Sequence, residues 1–515
     1  MQLLTAEQIR EWDQFTIANE PVSSVQLMER AAASFCQWFS SQFIKTNSPV
    51  TIFCGNGNNG GDGLAIARML RDQCLDVQVW IIRLSEQDSP DFAVNLAKLM
   101  SYNDVPISFI HEHLPECHAS SICIDALLGT GVSRPISGML EKLVTRINET
   151  GFQEVISVDM PSGLPSDSLL EGEAVKADLV FTFQLPKRSF FYREHAPYCQ
   201  RWVVGDIELD PTYLATQKGD EQVADLATCS SFLQKRNPFS HKGTFGHAFL
   251  LAGSEGKVGA AILAGKAAMR SGCGWATLVV PDGAMNAVHA SVNEVMCLAQ
   301  ESVLLSADQN QAGFSGERAT VSNSWGCGPG LGTGNEALTC LKKVLSMAKS
   351  PVLLDADGLN LLAANPSLWQ LIPENSILTP HPGEFARLFG KTINSIEIIN
   401  LLKEKAIEHK VVIVLKGKYT RIALPDGTMW INTTGNTGMA SAGTGDVLTG
   451  IITSLLAQGY LSWQAAVLGV FLHGMAGDIA LDQQSEESLN ATDVIECIGK
   501  SFHKLHRFCV DAGNA

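Results

Sequence analysis

Asp446 directly follows Gly443-Thr-Gly445 and directly precedes the apolar run Val447–Leu456. Glycines at a helix start expose backbone N–H groups that can hold an anion, and a carboxylate placed there can take a proton from a substrate hydroxyl. A second glycine-rich stretch, Gly55-Asn-Gly-Asn-Asn-Gly-Gly-Asp-Gly63, follows an apolar run and precedes an amphipathic one. Its glycines permit close backbone approach to a ligand. A turn that is merely tight does not need Asn58, Asn59 and Asp62 as well. Two further runs end in polar sequence, Asp125-Ala-Leu-Leu-Gly-Thr-Gly131 and Val158-Asp-Met-Pro-Ser-Gly163. Asn59, Asp125 and Ser162 could together offer oxygen ligands to a hard cation, and Asp159 is a candidate acid/base group. In the second half, Gly326-Cys-Gly-Pro-Gly-Leu-Gly332 exposes backbone. Leu354-Asp-Ala-Asp-Gly-Leu-Asn360 and Thr379-Pro-His-Pro-Gly-Glu384 place polar side chains at run ends. Lys416 and Thr420, with the backbone between them, can bind nucleotide phosphate.

These groups converge only if the runs carrying them are strands of parallel sheets. Val50–Gly55, Val77–Ile82, Ser121–Leu128, Val155–Asp159 and Leu179–Phe183 read as buried strands, with helical patterns such as Gly63–Arg71 and Gly138–Asn148 between them. Strand–helix alternation predicts a parallel sheet covered on both faces, with ligands at the strands' carboxyl ends. Polar sequence over Asp210–Lys242 marks a join near residue 225, giving domains 1–225 and 226–515. A second series follows, with strands at His247–Ala252, Trp275–Val280, Val352–Asp355, Ser376–Thr379, Val411–Lys416 and Thr420–Leu424. Helical patterns at Gly259–Ser271 and Asn335–Ala348 separate some of them. Thr5 to Gln8 reads as a capping box opening a helix.

The chain has 515 residues, 45% of them apolar and 17% charged, enough for two or three cored domains. A net charge of −16 argues against nucleic-acid or anionic-membrane partners, though not against phosphate held by backbone N–H groups. Thirteen scattered cysteines without a C-x-x-C pair read as reduced thiols of a cytoplasmic protein. The N-terminus has no signal-peptide pattern. The apolar stretch Ile451–Gly477 is interrupted by Gln458, Trp463, Gln464 and His473, as in buried core helices. His111, His113, Cys117 and His118 lack zinc-site spacing and read as a solvated loop. A homo-oligomer is expected.

GNGNNGGDG, DALLGTG and VDMPSG, in this order and with the opening LTAEQIREWD, resemble the NAD(P)H-hydrate epimerase family over about residues 1–215. That resemblance implies a Rossmann-like three-layer domain and inversion at C6 of a hydrated nicotinamide ring. It implies a potassium ion on Asn59, Asp125 and Ser162. The hydrate would be met by Asn58, Asn59, Gly60, Gly61 and Asp62, by Gly129, Thr130, Gly131, Val132, Ser133, Arg134 and Pro135, and by Asp159. From about Lys242 to Gly499 the chain resembles the ADP/ATP-dependent NAD(P)H-hydrate dehydratase family, within the ribokinase-like α/β superfamily. HKGTFGHAFLLAGS and GAAILAGKAAMRSGCGWATL carry that likeness with the loops above. It implies that Ala260, Gly330, His381 and Asp446 meet the hydrate. Lys416, Gly417, Lys418, Tyr419, Thr420 and Gly445 would meet a nucleotide, ADP or ATP, that brings magnesium. The competing reading is a ribokinase-like small-molecule kinase with a non-catalytic N-terminal binding domain.

Overall fold

A computed structural model describes residues 1–43, 48–217, 219–305 and 323–513. The chain forms two compact units, residues 2–219 with 394–396, and residue 1 with 220–393 and 397–515.

The first unit holds seven strands: β1 (Val50–Cys54), β2 (Val77–Ile82), β3 (Ile107–Ile110), β4 (Ile122–Ala126), β5 (Glu154–Val158), β6 (Leu179–Phe183) and β7 (Trp202–Gly205). They pair in the order β3-β2-β1-β4-β5-β6-β7, and every pairing is parallel. β1 and β4 are buried along their whole length, as strands covered on both faces must be. The chain winds outward in both directions from β1 and β4, so a crevice opens at their carboxyl ends. The Asn56–Asp62 and Leu127–Gly131 segments lie there. The helix Ala6–Asn19 opens with the expected capping box between Thr5 and Gln8. Trp12 donates its indole N–H to the Asp210 carbonyl (2.7 Å), and Thr16 Oγ1 accepts from the Asp210 N–H (3.1 Å). These bonds fix the rotation of that helix.

The second unit holds ten strands: β8 (Glu221–Ala224), β9 (His247–Leu251), β10 (Trp275–Val280), β11 (Met296–Ala299), β12 (Asn323–Cys327), β13 (Val352–Leu354), β14 (Ile377–Leu378), β15 (Val412–Leu415), β16 (Arg421–Ala423) and β17 (Met429–Asn432). Their order is β11-β10-β9-β12-β13-β14-β15-β16-β17-β8. β16 runs antiparallel to β15 and β17, and the other pairings are parallel. β8 pairs with β17 in this sheet. The division therefore falls a few residues before the expected join near 225.

The helices Thr444–Ala457 and Ser462–Ala480 form the heart of the second core, which accounts for the apolar stretch around Ile451–Gly477. A Cβ at Gly450 would stand 2.1 Å from the Ala264 carbonyl oxygen, so only glycine permits this helix contact. Among the described residues no helix is long and apolar enough to cross a membrane. His111, Glu112 and His113 lie exposed in a bend, and among the described residues no group of three or more histidine, cysteine or carboxylate residues is arranged to hold a metal. None of the thirteen cysteines is in a disulfide.

Candidate active sites

The polar residues after β1 belong to a helix. The helix Asn58–Asp72 begins at Asn58, with Gly57 as its N-cap and no side-chain cap bond. Asn58 and Asn59 thus occupy its first turn, where N–H groups lack intrahelical partners, and Asp62 follows in the next turn. Gly60 and Gly61 serve packing: a Cβ at Gly60 would meet the Gly55 carbonyl oxygen at 1.9 Å, and one at Gly61 the Met28 sulfur at 2.8 Å.

A cavity of about 660 Å³ opens over these turns, a size suited to a small ligand. Asn58, Asn59, Asp62, Gly129, Thr130, Gly131 and Asp159 line it, as expected from the sequence. Val132, Ser133, Arg134 and Pro135 lie outside this lining, on the more exposed continuation of the loop.

Beneath the lining, Asp125 is fully buried. It accepts hydrogen bonds from Ser157 Oγ (2.7 Å), the Ser162 N–H (2.9 Å), Ser162 Oγ (2.5 Å) and the Leu127 N–H (3.3 Å). Burial still raises its pKa despite those donors. Asn59 is buried, yet its amide nitrogen and oxygen have no hydrogen-bond partner. A buried carboxylate without a cation and an orphaned amide oxygen are the groups a hard cation would satisfy. The residues therefore fit a potassium ion chemically.

Asp159 has φ of 66°, a strained conformation for a residue with a side chain. Its Oδ1 accepts from Lys187 Nζ (2.6 Å), Thr182 Oγ1 (3.3 Å) and the Phe183 N–H (3.3 Å). The Lys187 ammonium is almost wholly buried and also meets Thr182 Oγ1 (2.7 Å) and the Phe183 carbonyl oxygen (3.1 Å). Asp13, on the N-terminal helix, lines the same cavity; burial first, then the charge of Asp159, push its pKa up to about 7. Burial, then Asp159, Asp13 and Asp91, raise Asp62 well above the usual carboxylate range. Sequence reasoning missed Asp13 and Lys187. The signal for Asp13 was its position in the opening motif, spaced by four from Ile9 and Ile17, which also line the cavity.

In the second unit the helix Thr444–Ala457 starts behind Gly443, whose φ is 94°. Asp446 stands in its first turn. Burial, then the charges of Asp355 and Asp357, push its pKa up to about 6 against the opposing pull of Lys416. Lys416 Nζ donates to Asp355 Oδ1 (2.8 Å), and Thr449 Oγ1 donates to Asp355 Oδ2 (2.8 Å). A Cβ at Gly445 would lie 3.6 Å from Lys416 Nζ. The structure thus brings Asp446, Gly445 and Lys416 together, and adds Asp355, Asp357 and Thr449. Gly417–Thr420 form the turn between β15 and β16, closed by the Gly417 N–H donating to Thr420 Oγ1 (3.3 Å). The Lys418 ammonium sits 5.3 Å from the centre of the Tyr419 ring.

Gly330 has φ of 59°, and a Cβ there would meet the Lys257 carbonyl oxygen at 2.8 Å and Ala260 Cβ at 3.0 Å. Gly330 and Ala260 are therefore neighbours. Asp357 ties the same loop down by accepting from the Gly332 N–H (2.8 Å). His381 caps the helix Pro382–Phe389, its Nδ1 accepting from the N–H groups of Gly383 (3.0 Å) and Glu384 (3.3 Å). That acceptor role puts the ring proton on Nε2 in the neutral form. The Lys416 N–H donates to the Pro380 carbonyl (2.9 Å), holding the His381 segment beside β15.

Each unit carries a polar site at the carboxyl ends of parallel strands, the first around an acid-lined cavity and the second around a glycine-framed helix start. A family model described as NAD(P)H-hydrate dehydratase matches residues 248–500, and one described as the YjeF-related protein N-terminus matches residues 24–189. A bifunctional NAD(P)H-hydrate repair enzyme of Moorella thermoacetica is 34% identical over 507 residues, covering 96% of each chain. That of Coxiella burnetii is 35% identical over 498 residues, covering 95% of this chain and 96% of its own. An ADP/ATP-dependent NAD(P)H-hydrate dehydratase from Bacillus subtilis, co-crystallized with ATP/Mg2+, is 32% identical, with a TM-score of 0.48 over 55% of this chain and 98% of its own. The chain belongs to the family of bifunctional NAD(P)H-hydrate repair enzymes. The likeness runs through both halves, which sets aside the reading of a kinase beside a non-catalytic domain.

Proposed function

We propose that the first unit interconverts the R and S hydrates of NADH and NADPH at C6, and that the second returns the S hydrate to NAD(P)H at the expense of ADP, releasing AMP and phosphate. The observation that carries the dehydratase reading is the grouping of Asp446, with its raised pKa, beside Gly445 and the Lys416–Asp355 pair. Hydroxide is a poor leaving group. Phosphorylating the hydroxyl gives a better one and couples its loss to cleavage of the nucleotide. Asp446 accepts the hydroxyl proton, and the N–H groups of the Thr444–Ala457 helix start face the charge of the transferred phosphoryl group. Gly330 and Ala260 frame the hydrate, His381 contributes its Nε2–H, and Lys416 to Thr420 with Gly445 hold the nucleotide.

Magnesium keeps several waters and phosphate oxygens and needs only one or two protein carboxylates. It would arrive here as the companion of the nucleotide, with Asp357 as a carboxylate at hand. In the first unit, Asn59, Asp125 and Ser162 would hold potassium, which would fix the loop between Leu127 and Gly131 and supply positive charge beside the hydrate. Asn58 to Asp62, Gly129 to Pro135 and Asp159 would bind the hydrate. The protein would act in the cytoplasm as a homo-oligomer.

The test incubates the protein with mixed R and S hydrates and ADP while reduced-nicotinamide absorbance is followed. Recovery of both epimers is expected. Recovery of the S form alone would remove the epimerase half of the reading, and phosphorylated product without recovered absorbance would remove the dehydratase half.

A further inference from the structure

Inversion at C6 takes place on both faces of one ring, so a hydroxyl that leaves one face and returns to the other needs a proton donor on the first side and an acceptor on the second. Asp159 is anchored for only one of these tasks. Its Oδ1 is taken by Lys187, Thr182 and Phe183, while its Oδ2 has no hydrogen bond among the described residues. The Lys187 ammonium at 2.6 Å fixes Oδ1, which leaves Oδ2 as the atom able to take a proton from water.

Asp13 comes to the cavity from a different element. The helix carrying it is held by the Trp12 and Thr16 bonds to Asp210 on either side of it in sequence, which presents Ile9, Asp13 and Ile17 to the cavity. Its carboxyl makes no hydrogen bond or ion pair among the described residues. The charged groups of the surrounding elements are Arg10 on its own helix, Asp62 after β1, Asp91 at the start of the helix Pro90–Met100, Asp159 after β5 and Lys187 after β6. Carboxylates outnumber cations there, and the buried lysine is already bonded to Asp159.

We propose, building on the epimerase reading, that Asp13 is the second acid–base group of this site. The protonated Asp13 carboxyl gives its proton to the C6 hydroxyl. The C6–O bond breaks with its electron pair on oxygen, water departs, and the N1 lone pair forms the C6=N1 iminium bond. Water then adds to the opposite face of C6, the iminium π pair returns to N1, and the proton released from that water passes to Asp159. The reverse epimerisation starts with the proton on Asp159 and ends with it on Asp13. The active enzyme is thus the form with one proton shared by the pair, and both directions have the same pH dependence. Burial and the Asp159 charge hold Asp13 at about 7, so epimerisation falls as pH rises through that value and the shared proton is lost.

The experiment compares full-length wild type with Asp13→Asn, measuring R-to-S conversion above the uncatalysed rate from pH 6 to 8.5, with potassium present and the dehydratase assay run in parallel. Asp13→Asn should lower epimerisation roughly 10²–10⁴-fold and abolish the fall near pH 7, with dehydration of pure S hydrate unchanged. A wild-type rate, or an unchanged fall near pH 7 in the residual activity, overturns the assignment. If Asp13→Asn does not fold, Asp13→Glu replaces it. The fall must then move to the pH at which the new carboxyl titrates, and a fall that stays in place overturns the assignment. Wild-type protein that does not epimerise at all would instead refute the epimerase reading.

Discussion

Asp446→Asn separates a catalytic carboxylate from a helix-start charge because the two roles predict opposite balances of rate and stability. Burial and the neighbouring Asp355 and Asp357 raise the Asp446 pKa from 3.8 to about 6. The folded state therefore holds this proton more tightly than the unfolded chain. The stability this group contributes is largest below the unfolded value, falls as pH rises from about 4 to about 6, and is flat above that. At neutral pH the ionised carboxylate costs the fold at most about 3 kcal/mol, at 1.36 kcal/mol per unit. At pH 7 it is roughly nine-tenths ionised, and so available as a base. Asparagine keeps the shape without the charge or the proton affinity. Dehydration of the S hydrate with ADP should drop roughly 10²–10⁴-fold, a barrier increase of about 3–5 kcal/mol. The melting transition of the second unit should rise. Nucleotide binding should persist, because the Lys416–Asp355–Thr449 bonds are untouched. The assays are initial rates of absorbance recovery, ADP titration by calorimetry and thermal melting at pH 7. Near-normal dehydration with a melting point lowered by the loss of about 0.3–1 kcal/mol would identify Asp446 as a favourable helix-start charge and refute the reasoning.

Asn59→Ala should weaken potassium dependence of epimerisation while leaving the potassium-free melting point within the equivalent of about 1 kcal/mol, since the Asn59 amide has no partner to lose; potassium titration of the rate checks this, and an unchanged titration removes Asn59 from the ion site. Gly330→Ala forces a Cβ at positive φ to within 2.8 Å of the Lys257 carbonyl oxygen, so dehydration should be lost and epimerisation kept; normal dehydration would show that this loop does not frame the hydrate. A fragment of residues 1–219 contains all seven strands of its sheet and the whole cavity lining. It should fold and epimerise without nucleotide. A folded, inert fragment beside active full-length protein would show that the site needs the rest of the chain, including Ser395, whose N–H bonds Glu194 at 2.9 Å.

The strands readable from the sequence were those with long runs of Val, Ile, Leu and Phe, such as β1, β4, β6, β9 and β10, because burial on both faces writes itself as a continuous apolar run. β12, Asn-Ser-Trp-Gly-Cys, was missed although buried, since close packing replaces bulk there: a Cβ at Gly326 would stand 2.3 Å from Thr453 Oγ1. β3 and β7 lie at the sheet's edges, are half-exposed and carry weaker runs. The helix starts at Asn58 and Thr444 were placed too late, because glycine and asparagine read as loop although their N–H groups serve the first helical turns. Site residues inside motifs were visible because several loops pointed to the same sheet edge. Asp13 and Lys187 were not, because Asp13 lines the cavity from a helix and Lys187 is buried behind Asp159 after a turn, and neither element's own sequence gives more than a helix or a turn.

The two sites also share an electrostatic arrangement that neither half's motifs express. In each, one lysine is bonded to a carboxylate on the strand-end backbone, Lys187 to Asp159 at 2.6 Å and Lys416 to Asp355 at 2.8 Å. In each, the backbone at that point is strained, with φ of 66° at Asp159 and 47° at Ala356, next to Asp355. A second carboxylate stands nearby without a cation of its own, Asp13 in one site and Asp446 in the other. A lysine shared equally would pull both carboxylates into the ordinary range and leave neither able to exchange a proton near neutral pH. Committing it to one partner holds that partner in position, and burial with the neighbouring carboxylate's charge outweighs the lysine's pull on the other, pushing Asp13 up to about 7 and Asp446 up to about 6. The proton transfers proposed for the two halves would rest on that unequal division of a lysine's charge in each site.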